Sequence, residues 1–320
     1  MARASRIEYD GALYHVLNRG NYRQELFTAG QAGRHFEQTL LETCARFGWR
    51  LHAYVIMSNH YHLALETPEA NLTTGMQWLQ SSFANRFNRV AGERGHVFQG
   101  RFKSLVVEEG PALLAVVNYI HLNPVRAGLV DVTHLREYEL SSFPKYLQRK
   151  DRRPGCLCGD SWLWEAGHLR PTPGGMRCYQ EYLAFQEEAD PANRQGLHQR
   201  LCRGWYIGTQ QGKEAFLGRW MARGGVKEGL AARQYGTDAA LVLRARGLSQ
   251  FGKKVSDLEQ DHKGAAWKVI LACWIKAQTG VSNRWLSEHL HLGATASVSR
   301  LLQNERHTHD AHNPLWRKLQ

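Results

Sequence analysis

Hydrophobic and polar positions alternate along the first part of the chain with two different periods. Short runs with a period of two, rich in β-branched and aromatic residues, predict strands. Longer runs with apolar residues three and four positions apart predict helices, bounded by glycine or proline. In order, the pattern predicts a strand at 14–19, a helix that ends at Gly48, strands at 49–57 and 60–66, a helix at 72–90, a strand at 102–107 and a helix that begins at Pro111.

This order of elements is typical of a split βαβ fold. We therefore expect an α+β domain, an antiparallel sheet with helices on one face, followed by a mainly α-helical C-terminal region. Charged residues and a Pro-Gly pair at 148–155 indicate a linker. The predicted division is 1–147 for a first domain, 148–262 for a linker and helical region of unknown role, and 263–320 for a helical segment.

The last segment contains three predicted helices. The second is capped by Ser282 and covers 283–290, and a short turn separates it from a third helix that begins at Thr295. This spacing resembles a helix-turn-helix, whose last helix reads the major groove, and it would make Arg300 a DNA contact. A plain packed helical hairpin is the alternative interpretation.

Composition narrows the class of partner. The 320 residues are 43% hydrophobic, which indicates a globular protein, and carry a formal net charge of +12. A strongly basic chain usually has a polyanionic partner, most often nucleic acid. Neither a membrane span nor a secretory N-terminus is recognisable, so we expect a cytoplasmic, nucleoid-associated protein without a membrane partner. Its cysteines should be reduced thiols, and Cys156, Cys158, Cys178 and Cys202 fit no standard zinc spacing.

One predicted strand brings two histidines together. His60 and His62 are two positions apart and share one face, roughly 6.8 Å apart along the backbone, close enough to bind one metal ion. Tyr61, Leu63 and Leu65 share the other face, which the alternation predicts to be buried. The histidines would then lie on the open face of the sheet.

Tyr119 and Asn123 are four residues apart on the helix that follows Pro111 and so share a face. A metal at the histidines and a tyrosine nucleophile would suit phosphodiester cleavage through a covalent phosphotyrosine. Nearby positive charge is expected to lower the phenol pKa. The Asn123 amide oxygen would be a third ligand, suited to Mg²⁺ or Mn²⁺, although Pro124 predicts the end of the helix there. Each residue alone also has a structural explanation, and the hypothesis depends on their joint occurrence in a basic chain.

Four sequence blocks in order make residues 1–145 resemble REP-associated tyrosine transposases, the single-tyrosine relatives of HUH transposases. The first block is N-terminal and contains Met1-Ala2-Arg3, Arg6-Ile7-Glu8-Tyr9, Gly11-Ala12-Leu13-Tyr14-His15-Val16 and Asn18-Arg19-Gly20-Asn21. The other three blocks are Met57-Ser58-Asn59-His60-Tyr61-His62-Leu63, Phe98-Gln99-Gly100-Arg101-Phe102-Lys103-Ser104 and Tyr119-Ile120-His121-Leu122-Asn123-Pro124-Val125-Arg126-Ala127-Gly128.

The resemblance implies a ferredoxin-like HUH fold and divalent-metal-dependent nicking and joining of single-stranded DNA. The typical target is a hairpin from a repetitive extragenic palindrome with a short guide sequence beside it. His60 and His62 would be metal ligands, Tyr119 the nucleophile and Asn123 the third ligand. Charge and position further predict DNA contacts by Asn18, Arg19, Arg101, Lys103 and Arg126. A monomer and a homodimer both remain open.

Three other classes share part of this pattern. Rolling-circle replication initiators often place lysine three residues after the tyrosine, where this chain has Leu122, and histidine-triad hydrolases need a third alternating histidine, where it has Ala64. A domesticated, non-catalytic DNA-binding regulator is the remaining alternative. Salt-dependent binding of hairpin DNA is expected under both the transposase and the regulator hypotheses.

Overall fold

The computed structural model of the chain describes residues 6–28, 31–189, 194–222, 232–307 and 314–319. They form two compact units: Glu8–Thr209, and the described part of Gln210–Gln320 together with Arg6 and Ile7. Met1-Ala2-Arg3, where the first sequence block begins, lies outside the described residues. Every helix within the described ranges is too short or too polar to serve as a membrane span.

The first unit is built on a five-stranded sheet. Its strands are β1 (Ala12–Arg19), β2 (Arg50–Ile56), β3 (His60–Thr67), β4 (Lys103–Val107) and β5 (Tyr206–Ile207). The order across the sheet is β2-β3-β1-β4-β5, in which the first four strands are antiparallel and β5 lies parallel to β4. The predicted α+β class and antiparallel sheet are therefore confirmed. The parallel edge strand is an addition that the sequence pattern did not predict.

Both faces of this sheet are covered by helices of the first unit, some in contact with the strands and others packed against neighbouring helices. They are α1 (Ala32–Phe47), α2 (Leu72–Ala91), α3 (Pro111–His121), α4 (Asn123–Arg126), α5 (Ser142–Tyr146), α6 (Asp160–Glu165), α7 (Pro173–Ala189) and α8 (Arg194–Cys202). Phe36 of α1 lies against Tyr61 with ring centroids 4.7 Å apart, and Phe83 of α2 joins the same aromatic core. The first unit extends past the predicted boundary at 147, because β5 pairs with β4 of the same sheet. The functional division of the chain stays a prediction.

The face that carries the histidines is not open, contrary to the expectation from the alternation. Helix α3 is apolar on most of its length and must bury that surface, so it packs against β2 and β3. His62 is only 2% exposed, whereas His60 at the start of β3 is half-buried. Helix α3 ends at His121 and α4 begins at Asn123, in agreement with the helix end predicted from Pro124.

The second unit is helical, as predicted for the C-terminal region. Its helices are α9 (Gln210–Ala222), α10 (Ala232–Phe251), α11 (Asp257–Gln260), α12 (Ala266–Thr279), α13 (Asn283–Leu290), α14 (Thr295–His307) and α15 (Pro314–Arg317). The predicted cap is confirmed, because Ser282 Oγ accepts a hydrogen bond of 3.2 Å from the Trp285 backbone N–H. Between α13 and α14 the chain turns through left-handed His291 (φ 51°) and Gly293 (φ 81°). Helices α12, α13 and α14 contact one another in an arrangement compatible with a helix-turn-helix.

Candidate active site

The two histidines lie at the end of the sheet where three strands meet. His60 is opposite Arg19 of β1, and His62 is opposite Leu17. Leu17 is in turn opposite Lys103 of β4, so the same register brings basic side chains to the histidines. The two imidazole centroids are 5.2 Å apart. The predicted pairing of the histidines on one face is confirmed by this geometry.

His15, which the sequence analysis gave no role, orients the ring of His62. Its Nδ1 lies 2.8 Å from the carbonyl oxygen of Leu201, and since a carbonyl only accepts, Nδ1 carries the proton. When His15 is neutral, its Nε2 accepts a hydrogen bond from Nδ1 of His62, 2.9 Å away. The lone pair of His62 is then on Nε2, the form that a metal ligand requires.

His60 is oriented in the same way by its neighbour Asn59. Nδ1 of His60 lies 2.7 Å from Oδ1 of Asn59, which accepts a hydrogen bond and leaves the lone pair of the imidazole on Nε2. Outer hydrogen bonds of this kind are usual for histidines that bind metals, because they fix the tautomer and the ring orientation. The donor set of His60 and His62 therefore fits a divalent metal ion.

Tyr119 lies beside this pair on α3. Its ring centroid is 5.3 Å from that of His62 and 5.9 Å from that of His15. The side chain is only 5% exposed, and its Oη accepts a hydrogen bond of 3.4 Å from the thiol of Cys202 at the end of α8. The structure thus brings the predicted nucleophile to the predicted metal ligands, but beneath a cysteine that no sequence pattern indicated.

The expected lowering of the Tyr119 pKa is wrong for this conformation. Burial is the main cause that raises the pKa of the phenol, and the adjacent Cys202 raises it further. The hydrogen bond from Asn123 and the charge of Arg126 lower it by less. The phenol is therefore protonated in the structure, because the desolvation of a phenolate outweighs the nearby positive charge.

Asn123 and Arg126 both lie next to Tyr119. Asn123 donates a hydrogen bond of 3.0 Å from its amide to the Tyr119 backbone carbonyl. Arg126 places its guanidinium carbon 5.7 Å from the Tyr119 ring centroid and forms an ion pair of 2.5 Å with Glu187. That ion pair directs Arg126 toward α7. The metal-ligand role of Asn123 and the DNA contact of Arg126 stay predictions.

A basic cleft of about 790 Å³ opens in front of the histidines. Four of the predicted DNA contacts line it: Asn18, Arg19, Arg101 and Lys103. Two further basic residues, Arg23 and Arg203, complete a set of five basic side chains with no carboxylate among the described lining residues. Lys103 also donates a hydrogen bond of 2.6 Å to the Cys202 carbonyl. The cleft is thus electrostatically suited to a nucleic-acid backbone.

Arg300, the remaining predicted DNA contact, belongs to the second unit. It is exposed on α14, as the recognition helix of a helix-turn-helix would require. The Asn283 amide at the start of α13 donates a hydrogen bond of 2.7 Å to Ser299 Oγ, which ties the two helices together. The exposed side chain of Arg300 is free to reach DNA, and a DNA contact at this residue stays a prediction.

The residues that sequence reasoning missed reach the site through long-range packing. His15 lies within one of the quoted sequence blocks and could have been examined as a partner of the histidine pair. Cys202 and Arg203 are about 140 residues from His62 in sequence, and no local spacing connects them with it. Arg23 follows the exposed Tyr22 in a segment where both residues have a positive φ.

Part of the chain is similar to a family of known proteins. Residues 8–123 match the family model described as IS200-like transposase. A candidate REP-associated tyrosine transposase of Haemophilus influenzae is 25% identical over 119 residues, which cover 34% of this chain and 66% of the relative. The match therefore spans just under two thirds of the relative's length. The resemblance to REP-associated tyrosine transposases is confirmed at the level of this segment.

Two solved structures are also similar. One is a REP-associated tyrosine transposase bound to a REP hairpin, at 21% identity and a TM-score of 0.39, covering 47% of this chain and 87% of that one. The other is a candidate transposase from Deinococcus radiodurans, at 18% identity and a TM-score of 0.27, covering 40% and 92%. Residues 8–123 of this protein are thus similar to the IS200-like transposase family.

Proposed function

We propose that this protein nicks and joins single-stranded DNA through a covalent link to Tyr119, with hairpins of repetitive extragenic palindromes as its substrate. The observation that carries the proposal is the orientation of His60 and His62, whose Nδ1 atoms both form outer hydrogen bonds. A buried tyrosine lies beside them and a basic cleft lies in front. The hairpin substrate rests on the resemblance of the sequence blocks, and the REP-associated relative supports the link to repetitive extragenic palindromes.

A Mg²⁺ or Mn²⁺ ion held by His60 and His62, with Asn123 as a further ligand, would neutralise charge on the scissile phosphate and orient it. The oxygen of Tyr119 attacks phosphorus, and a phosphorus–oxygen bond forms as the bond to the 3′ oxygen breaks. In net terms the phenol proton ends on the departing 3′ hydroxyl. Because the phosphotyrosine bond conserves the energy of the phosphodiester, another 3′ hydroxyl can displace the tyrosine and join the strands.

The chain's own residues hold the strand and activate the nucleophile. Arg19, Arg101 and the other basic residues of the cleft contact the phosphate backbone, which positions the strand without reading its sequence. Tyr119 must leave the Cys202 thiol before it can attack. This movement also removes the burial that raises its pKa, so exposure and activation of the phenol occur together.

A second candidate function is a non-catalytic regulator that binds hairpin DNA. The burial of Tyr119 under Cys202 and the exposed Arg300 on α14 favour it. In this case the cleft and the second unit would bind DNA, and the tyrosine would be a packing residue. Binding experiments do not separate the two functions, because both need the same basic surfaces.

Formation of a protein–DNA adduct separates them. The full chain is incubated with Mn²⁺ and genomic hairpin oligonucleotides that carry single-stranded flanks, and the products are resolved on a denaturing gel. We expect an adduct that is lost in Tyr119→Phe and retained in Tyr22→Phe, a matched control at an exposed tyrosine next to cleft residue Arg23. Tight hairpin binding without an adduct, for every metal and flank, would favour the regulator.

A further inference from the structure

Three side chains that are typical metal ligands meet behind the cleft. His15 of β1, His62 of β3 and Cys202 of α8 each offer one ligand atom, and these atoms all lie within 4.8 Å of one another. All three residues are buried. They differ from the oxygen-rich set that Mg²⁺ prefers, because thiolate and imidazole ligands together favour Zn²⁺.

The spacing of these atoms is close to that of a tetrahedral zinc site. Zn–N bonds of about 2.0–2.1 Å and Zn–S bonds of about 2.3 Å place neighbouring ligand atoms roughly 3.3–3.6 Å apart. His15 Nε2 and His62 Nδ1 are 2.9 Å apart and need to separate slightly, while the cysteine sulfur lies within 4.8 Å of a ring nitrogen of each histidine.

Outer contacts already hold two of the three ligands. His15 donates its Nδ1–H to the Leu201 carbonyl, which leaves Nε2 as the ligand atom and matches the outer shell of a zinc-bound histidine. The ammonium of Lys103 donates a hydrogen bond of 2.6 Å to the Cys202 carbonyl, which fixes the backbone that carries the thiol. The phenol oxygen of Tyr119, 3.4 Å from the Cys202 sulfur, is placed to be a fourth ligand.

We propose that His15, His62 and Cys202 form a Zn²⁺ site, and that zinc bound there inhibits the enzyme. The inhibition rests on the proposed function. Binding takes the thiol proton from Cys202 to solvent and moves the proton of His62 from Nδ1 to Nε2, so one proton is released for each ion. His62 then carries a hydrogen on the nitrogen that the catalytic metal needs. The two ions therefore require opposite tautomers of His62, and zinc also retains Tyr119 beneath Cys202.

Binding is tested on the full chain without DNA. Zinc K-edge absorption should show one sulfur and two or three lighter ligands, and Co²⁺ used as a probe should give a thiolate charge-transfer band. Cys202→Ser should abolish both signals and raise the zinc Kd at least tenfold. Cys178→Ser, at an exposed cysteine of α7, is the matched control and should leave both signals and the Kd unchanged.

His60→Gln identifies which histidine set holds the ion. The proposed site excludes His60, so the zinc Kd and sulfur signal should survive this substitution. A sulfur-free zinc shell in the wild type would overturn the proposal. So would a Kd that rises with His60→Gln and not with Cys202→Ser, because the ion would then lie at His60 and His62.

Inhibition is measured as the ratio of adduct formed in Mn²⁺ with and without added zinc, within each variant. For the wild type and Cys178→Ser, zinc at concentrations well above the Kd should lower this ratio at least tenfold. For Cys202→Ser the ratio should stay near one. If the protein binds zinc through sulfur but forms no adduct with any metal, the proposed function is refuted and the zinc site is supported. If the adduct forms equally well when zinc is bound through sulfur, the proposal that zinc inhibits the enzyme is refuted.

Discussion

Removal of charge from the cleft tests directly whether this surface holds DNA. Five basic side chains line the cleft, and four of them are exposed. Arg23 and Arg101 are two of these four, so they can be replaced with little effect on the fold. We consider the double substitution Arg23→Gln with Arg101→Gln. Glutamine keeps a polar side chain of comparable reach while it removes the charge that displaces counterions from the strand.

The expected effect follows from counterion release. For single-stranded DNA the slope of log affinity against log salt is about −0.7 for each neutralised phosphate, so five contacts give about −3.5 and three give about −2.1. Between about 50 and 200 mM salt the cleft contribution should thus fall about 130-fold in the wild type and about 18-fold in the double variant. Both substitutions lie in the cleft, so any DNA contacts of the second unit are the same in the two proteins. The difference of about 1.4 between the two slopes therefore measures the cleft alone.

Fluorescence anisotropy with a short unpaired oligonucleotide, in chelator to exclude metal effects, measures both slopes. Arg34→Gln is the matched control, because Arg34 is exposed, forms an ion pair of 2.9 Å with Glu139 and does not line the cleft. It should leave the slope unchanged. Equal slopes for the wild type and the double variant would show that these two arginines do not neutralise phosphates, and the cleft would lose its assigned role.

Three other predictions follow from single side chains. His15→Gln should weaken Mn²⁺ binding about 10- to 100-fold, because it removes the partner that orients His62; calorimetry that finds equal affinity would refute this role. Tyr22→Ala should cost about 1–3 kcal/mol in single-strand affinity if the 93% exposed ring stacks on a base, with Tyr22→Phe near the wild type in the same anisotropy assay. Burial lowers the pKa of His121 to about 3, so the unfolded state binds the extra proton first, and stability falls as the pH drops from about 6.5 toward 3. At pH 4.5 this loss is about 3 kcal/mol relative to neutral pH, and urea unfolding of His121→Gln should lack that component.

Local patterns in the sequence predicted the elements that local forces determine. The strand at 60–66 is observed as His60–Thr67, because its alternation matches the pleat. Helix α13 has the predicted bounds, since Ser282 caps its first turn and the chain reverses at His291. The pairing of His60 with His62 was predictable for the same reason, as it depends only on two residues of one strand.

Long-range packing decided the features that the sequence did not predict. The hydrogen bond of His15 to His62 spans 47 positions, and that of Cys202 to Tyr119 spans 83, so neither leaves a periodic signal. The direction of the Tyr119 pKa was misjudged because charge is visible in the sequence, whereas burial arises only when α3 and α8 pack over the sheet. The strand β5 has two residues, too few for any alternation to show.

This short strand has a consequence for how the protein can be divided. β5 covers the outer side of β4, where the Val106 backbone N–H donates a hydrogen bond of 2.8 Å to the Trp205 carbonyl. A fragment that stops at residue 147 would leave β4 as a bare edge with three apolar residues, Leu105, Val106 and Val107. Such an edge is a template for strand addition between molecules, which natural proteins avoid by covering it. The shortest fragment that remains dispersed in solution is therefore expected to end after residue 209, long past the last residue of the family match.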